Sequence, residues 1–276
     1  MHGAGAEDQS QKAALRSTDP RRQFDALIAL TKAGGTGAVP DILPVFGARD
    51  DEVRAAAVRA VGYLGGDRPA AVGPSLVAML ADADEVVRAE AVEAFGTVHY
   101  EPAVDELIRM LREDDAWLVR ASAAETLGHY PGRAGRELLA CIRDDDEEIP
   151  VCRYALESLL QSDESLMRSE ISALVEEYGD DPEFGADVRM VAYRLGDRAQ
   201  LGIVAERVAS MDEHAGSLLL NMLGRLAAHP VPPALVDDMP VIDGILSVIA
   251  LRWPLQRPHV GSVRDSLPSA PPESGE

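Results

Sequence analysis

Four stretches of the chain repeat one pattern without internal gaps, and that repetition constrains the fold more than any other feature. They are Asp50-Asp51-Glu52-Val53-Arg54 running to Gly62, Asp84-Glu85-Val86-Val87-Arg88 to Gly96, Ala116-Trp117-Leu118-Val119-Arg120 to Gly128, and Glu147-Glu148-Ile149-Pro150-Val151-Cys152 to Leu160. The anchor positions 54, 88, 120 and 152 are separated by 34, 32 and 32 residues, the length of one helix-turn-helix unit. Alanine follows each anchor by three residues (Ala57, Ala91, Ala123, Ala155), and an apolar residue follows by seven (Val61, Phe95, Leu127, Leu159). Such a chain buries apolar surface between neighbouring units instead of around one centre.

The acidic turn, Val-Arg, alanine three residues on, then Leu-Gly resembles the short HEAT-like repeats of phycobilisome lyase subunits. Weaker copies at Asp19-Pro20-Arg21-Arg22, leading to Ala26 and Leu30, and at Asp187-Val188-Arg189, leading to Ala192 and Gly196, extend the resemblance over about residues 19 to 228. It implies an all-α fold, an α-solenoid of about six helix pairs wound as an armadillo-like right-handed superhelix. Three parts are expected: a flexible segment over 1–18, the solenoid over 19–253 and a disordered tail over 254–276.

Each unit reads as an outer helix followed by an inner one. Outer helices are expected at 38–47, 69–81, 101–112, 132–143, 163–178 and 198–210. The inner helices start at the acidic turns, where Asp and Glu suit capping and the helix dipole, and glycines 62, 96, 128 and 196 are expected to close them. After Pro230-Val231-Pro232-Pro233, one apolar helix over 241–253 is expected to cap the stack.

At 100° per residue, positions 53, 57, 58, 61 and 64 form a buried stripe, and 52, 55, 56, 59 and 63 lie opposite. In HEAT-like folds such inner-helix residues line the concave surface. Position 59 recurs as Arg59, Glu93, Glu125 and Glu157, and position 56 as Ala56, Glu90, Ser122 and Tyr154. The candidate partner-binding residues are therefore Arg59, Glu90, Glu93, Glu125, His129, Arg153, Tyr154 and Glu157. Glutamates also solvate ordinary helix faces; their uniform sign over three successive units favours binding. Arg54, Arg88 and Arg120 fall at the edge of the buried stripe, where an unpaired charge is costly. The turns Asp50-Asp51, Asp82-Asp84 and Asp114-Asp115 can pair with them as a structural ladder. Cys152 takes the arginine's place in the fourth unit, beside the most acidic turn, 144–148.

Composition excludes several functions. With 47 acidic against 26 basic residues the formal charge is −21, which argues against nucleic acid or a membrane surface and for a partner protein with a basic surface. Cys141 and Cys152 lack metal-ligand spacing, His99-Tyr100 and His129-Tyr130 suit a structural role at helix ends, and neither cofactor nor metal is expected. No apolar run suggests a signal peptide or membrane span, so a cytoplasmic location is expected; two lysines among 26 basic residues hint at a GC-rich bacterial genome.

Three enzyme families are similar to this repeat pattern. Deoxyhypusine hydroxylases mount iron on His-Glu dipeptides, and this sequence has only the reverse, Glu213-His214. Alkylpurine DNA glycosylases of HEAT type need a basic, aromatic groove. Bilin lyase subunits act in pairs on a pigment, and nothing in the sequence marks a tetrapyrrole pocket. The reading that leads is a non-catalytic protein-binding scaffold or adaptor. The alternatives are an immunity protein, antitoxin or other inhibitor of a basic nuclease or DNA-binding protein, and a subunit of a lyase-type enzyme.

Overall fold

The computed structural model describes residues 3–268, and among them every regular element is helical. The chain divides into two compact units, Met1–Asp163 and Glu164–Glu276.

The N-terminal unit holds α1 (Gly3–Ala14), α2 (Pro20–Ala33), α3 (Val39–Ile42), α4 (Asp51–Leu64), α5 (Pro69–Met79), α6 (Glu85–Val98), α7 (Val104–Glu113), α8 (Trp117–Leu127), α9 (Gly135–Ile142) and α10 (Ile149–Ser162). Short 3-10 turns flank α3 and lead into α7. The inner helices α2, α4, α6, α8 and α10 stack one on the next, while α5, α7 and α9 pack mainly on an inner helix. A helix of eight to fourteen residues is marginal alone, so each is held by its neighbours. Val53, Ala57, Val61 and Leu64 and their counterparts Val87, Ala91, Phe95 and Val98 are at most 3% exposed.

Two sequence expectations for the inner helices change. Gly62 and Gly96 lie inside α4 and α6 and do not close them. Gly62 is needed because a β-carbon there would come within 2.7 Å of the Ala94 β-carbon, so its loss of a side chain sets the spacing of α4 against α6. Helix α6 ends instead at His99, which adopts the left-handed conformation with φ of 49°, and Gly128 caps α8. Positions 55 and 56 are also not free of packing: Ala55, Ala56, Ala89, Ala121 and Ser122 are all buried. Alanine and serine fit there because they let consecutive helices approach closely. Thr126 donates to the Val92 carbonyl (3.3 Å) and Tyr130 to the Phe95 carbonyl (2.9 Å), adding side-chain ties between α6 and the next unit.

The C-terminal unit holds α11 (Glu164–Tyr178), α12 (Gly185–Arg194), α13 (Ala199–Arg207), α14 (Glu213–Gly224), α15 (Leu235–Arg252) and α16 (Arg257–Ser266). Its core gathers Tyr193, Leu201, Leu219, Leu223, Ile242 and Leu246 with Trp253, whose ring fills the space left by Gly216. The last apolar helix starts at Leu235, six residues before the expected 241, and its first turn supplies Asp238. That carboxylate, 2% exposed, accepts hydrogen bonds from Tyr193 (3.2 Å) and Arg198 (2.6 Å).

Both ends of the sequence hold more structure than expected. Helix α1 occupies most of the segment read as flexible, and Leu15 behind it is buried. Helix α16 lies within the stretch read as a disordered tail: Val260, Val263 and Leu267 recur at helical spacing and are buried. Residues 269–276 of that tail fall outside the described residues.

Candidate functional site

The repeat arginines form a ladder that reaches one unit forward. Each sends Nη1 back to the two carbonyls just before its own helix: Ala48 and Arg49 for Arg54, Asp82 and Ala83 for Arg88, Asp114 and Asp115 for Arg120. Nε and Nη2 then point at the next turn. Arg54 grips both carboxylate oxygens of Asp82 at 2.8 Å, Arg88 grips Asp114 at 2.8 and 2.9 Å, and Arg120 binds Glu147 and Glu148. Asp82 and Asp114 also accept the amides of Asp84 and Ala116, while Asp50 and Asp84 cap α4 and α6. The acids of one turn thus divide between pairing and capping.

Electrostatics follow this geometry. Hydrogen bonds from Arg54, opposing the cost of burial, hold the Asp82 carboxyl below the usual range and raise Arg54 in turn. At Asp114 burial pushes the carboxyl up, but Arg88 and the Ala116 amide more than offset it and the net shift is down. Bidentate guanidinium pairing is the strongest common form of this contact. The ladder stops at Cys152, whose Sγ is buried 3.7 Å from the Cys141 carbonyl. Burial raises both thiols, Cys152 to about 11. In the C-terminal unit the corresponding Arg189 bonds its own turn, Gly179 and Asp180, and Gln200.

What the ladder and core leave on the inner helices is one narrow ridge. Positions 52, 59 and 63 lie within about 40° of one another on a helical wheel, and they carry Glu52, Arg59 and Tyr63 on α4, Val86, Glu93 and Thr97 on α6, and Leu118 and Glu125 on α8 with His129 after it. On α10 the corresponding residues are Pro150, Glu157 and Gln161. Tyr63 is 68% exposed, Val86 43% and Tyr154 42%.

The candidate binding residues are distributed as follows. Arg59 is exposed and pairs with Glu90 through Nε (2.9 Å) and Nη2. Glu93 accepts from Ser122 of the next helix at 3.0 Å. Desolvation by its surroundings raises the Glu93 carboxyl above the usual range, outweighing the Ser122 bond; the carboxylates of Glu90 and Glu125 add to the rise. Glu93 and Glu125 are exposed and Glu157, which accepts from Gln161, is half-buried. His129 stands edge-on to His99, ring centroids 5.9 Å apart, against Gly96. Arg153 is half-buried and Tyr154 exposed on α10. Glu90, Glu93 and Glu125 with Arg59 thus form one electrostatic group across α4, α6 and α8. Arg153, Tyr154 and Glu157 lie one repeat further on.

Sequence reasoning missed Tyr63 and Val86 as ridge residues. Their positions were on the free side of the wheel, but attention to charge passed over them. Among the described residues no three His, Cys, Asp or Glu side chains converge as a metal site requires, and no helix is long and apolar enough to cross a membrane.

Comparison with known proteins bears on the repeat itself. A family model described as HEAT repeats matches residues 73–161, a span that includes Arg88 and Arg120 of the ladder but not Arg54. The match to HEAT repeats thus covers about a third of this chain. The HEAT-repeat fold is shared with a solved complex of CpcE and CpcF of phycocyanin lyase from Nostoc sp. PCC7120, with TM-score 0.51 and 20% identity over 86% of this chain and 94% of that one. At that identity the likeness is one of fold. No curated protein sequence matches the chain.

Proposed function

We propose that this protein is a non-catalytic scaffold or adaptor that holds a partner protein along the concave, inner-helix side of its HEAT repeats. The observation that carries the reading is the division of charge. Arg54, Arg88 and Arg120 are consumed in the ladder, whereas Glu93 and Glu125 stand on the exposed ridge with their negative potential incompletely compensated. Exposed Tyr63 and Tyr154 flank them, and aromatic rings supply large contact area at low entropic cost. A partner with a basic surface fits this ridge, and a charge of −21 would speed its approach. An inhibitor of a basic nuclease is a special case of the same geometry.

The lyase-subunit reading rests on the likeness to a solved complex of two lyase proteins. It shares the expectation of a protein partner and adds a small-molecule substrate.

Affinity purification of the tagged chain from its host, at low and high salt, tests the proposal. A basic partner released by salt supports ridge binding, and a toxin-like nuclease among the released proteins identifies the inhibitor case. Recovery of a coloured or pigment-bearing substrate moves the assignment to the lyase reading.

A further inference from the structure

Two histidines stand side by side where α6 and α8 end. His99 closes α6 and is the one non-glycine residue with positive φ among those described. The left-handed region favours glycine, so an imidazole is kept there at a backbone cost. Its Nδ1 lies 2.9 Å from the Thr97 carbonyl oxygen. A carbonyl only accepts, so Nδ1 carries the proton and Nε2 keeps its lone pair. Metal-ligating histidines are oriented in this way, one ring nitrogen donating to a carbonyl and the other turned to the ion.

His129 follows α8 and lies edge-on to His99, with ring centroids 5.9 Å apart and planes at 81°. Its Cδ2–Nε2 edge faces α6: the two atoms lie 3.3 and 3.6 Å from where a β-carbon on Gly96 would stand. The bare backbone at 96 therefore seats the second ring beside the first. Both imidazoles are exposed. Tyr130 also neighbours His99, ring centroids 6.2 Å apart, but its side chain is buried and its hydroxyl donates to the Phe95 carbonyl, so it supplies no third ligand.

The separation of the two rings suits one shared ion. Zinc–nitrogen bonds of about 2.0–2.1 Å put an ion about 3.2 Å from each ring centroid, so imidazoles on one ion have centroids within about 6.4 Å. At 5.9 Å the pair falls inside that limit, and rotation of the two exposed side chains adjusts the angle at the ion.

We propose that His99 and His129 form an open site for one divalent cation of the imidazole-preferring kind, zinc(II) among them. Two protein nitrogens are fewer than a self-contained site uses, so the ion is exchangeable and water fills its remaining positions. A chain charge of −21 concentrates cations around the site. This site goes beyond the scaffold reading and does not depend on it.

Titration calorimetry of zinc chloride into the full chain, with magnesium chloride as control, tests the proposal. Wild type is expected to bind one zinc ion that His99→Gly and His129→Gln each hold at least about 10-fold more weakly. Magnesium, which demands oxygen ligands, should not compete. Zinc held by the chain's other histidines is common to all three proteins and cancels in the comparison. Glycine suits the left-handed end of α6, so His99→Gly should keep its melting temperature without zinc, and added zinc should raise that temperature in wild type alone. A wild type that binds no zinc, or zinc binding of the same stoichiometry and affinity in wild type and either variant, overturns the proposal.

Discussion

Arg88 of one repeat and Asp114 of the next are joined by two parallel hydrogen bonds, Nε to Oδ2 at 2.8 Å and Nη2 to Oδ1 at 2.9 Å. The same guanidinium holds the Asp82 and Ala83 carbonyls of its own turn, so one side chain fastens two repeats at once. The two side chains are only 16% and 9% exposed, which places the pair between a surface contact and a buried one.

Breaking that pair from one side is therefore expensive. Arg88→Ala leaves Asp114 crowded and without its cation, and is expected to cost about 2–3 kcal/mol. Removing both partners as Arg88→Met with Asp114→Leu should cost less than the single change. Urea unfolding of the three proteins checks this; equal losses in single and double variants would show that the pair does not act as a unit.

The pH dependence has opposite signs at two carboxylates. Asp82 has a folded pKa below its ordinary 3.8, so its stabilisation is present above that value and is lost as pH falls through the folded pKa. Glu93 has a folded pKa above 4.5; its contribution is present below 4.5 and is lost as pH rises through the folded value. Asp82→Asn should accordingly destabilise at neutral pH and lose its effect in strong acid, whereas Glu93→Gln should stabilise at neutral pH. Unfolding midpoints between about pH 3 and 7 separate the two.

Two glycine substitutions should also differ in sign. Gly202 lies exposed in α13 with open space around it, so Gly202→Ala is expected to gain about 0.5–1 kcal/mol. Gly62→Ala forces α4 away from Ala94 and should lose about 1–3 kcal/mol despite the better helix propensity of alanine. Thermal melts of both variants decide it, and a stabilised Gly62→Ala protein would contradict the close approach of α4 and α6.

Both thiols should resist alkylation in the native protein. Burial holds Cys141 and Cys152 far above neutral pKa, and the thiolate is the reactive form. Iodoacetamide labelling followed by mass spectrometry should show modification only after denaturation; rapid native labelling would contradict the burial of α10 against α9.

The structure shows which parts of the molecule were legible in the sequence. The outer helix expected at 69–81 appears as α5, Pro69–Met79, and that at 163–178 as α11, Glu164–Tyr178, because apolar periodicity and the flanking acidic turns both mark them. Which acid each arginine would take was not legible. Asp50 is the acid next to Arg54 in the chain, whereas Asp82 lies 28 residues on, and only the stacking of the helices assigns Asp82 to pairing and Asp50 to capping. Ala55 and Ala56 were misplaced for a related reason: alanine fits an exposed helix face and a close helix contact equally well, so a helical wheel cannot tell them apart. Helix α16 was hidden because Pro254, Pro258 and Gly261 outweigh the short apolar pattern of Val260, Val263 and Leu267.

The central claim is that ladder charges hold the stack while ridge charges bind. Titration calorimetry of the co-purified partner against wild type and a Glu93→Arg, Glu125→Arg, Glu157→Arg variant, with thermal melts of both, tests it directly. The expected result is binding abolished in the variant with its melting temperature retained; binding of unchanged affinity would contradict the account.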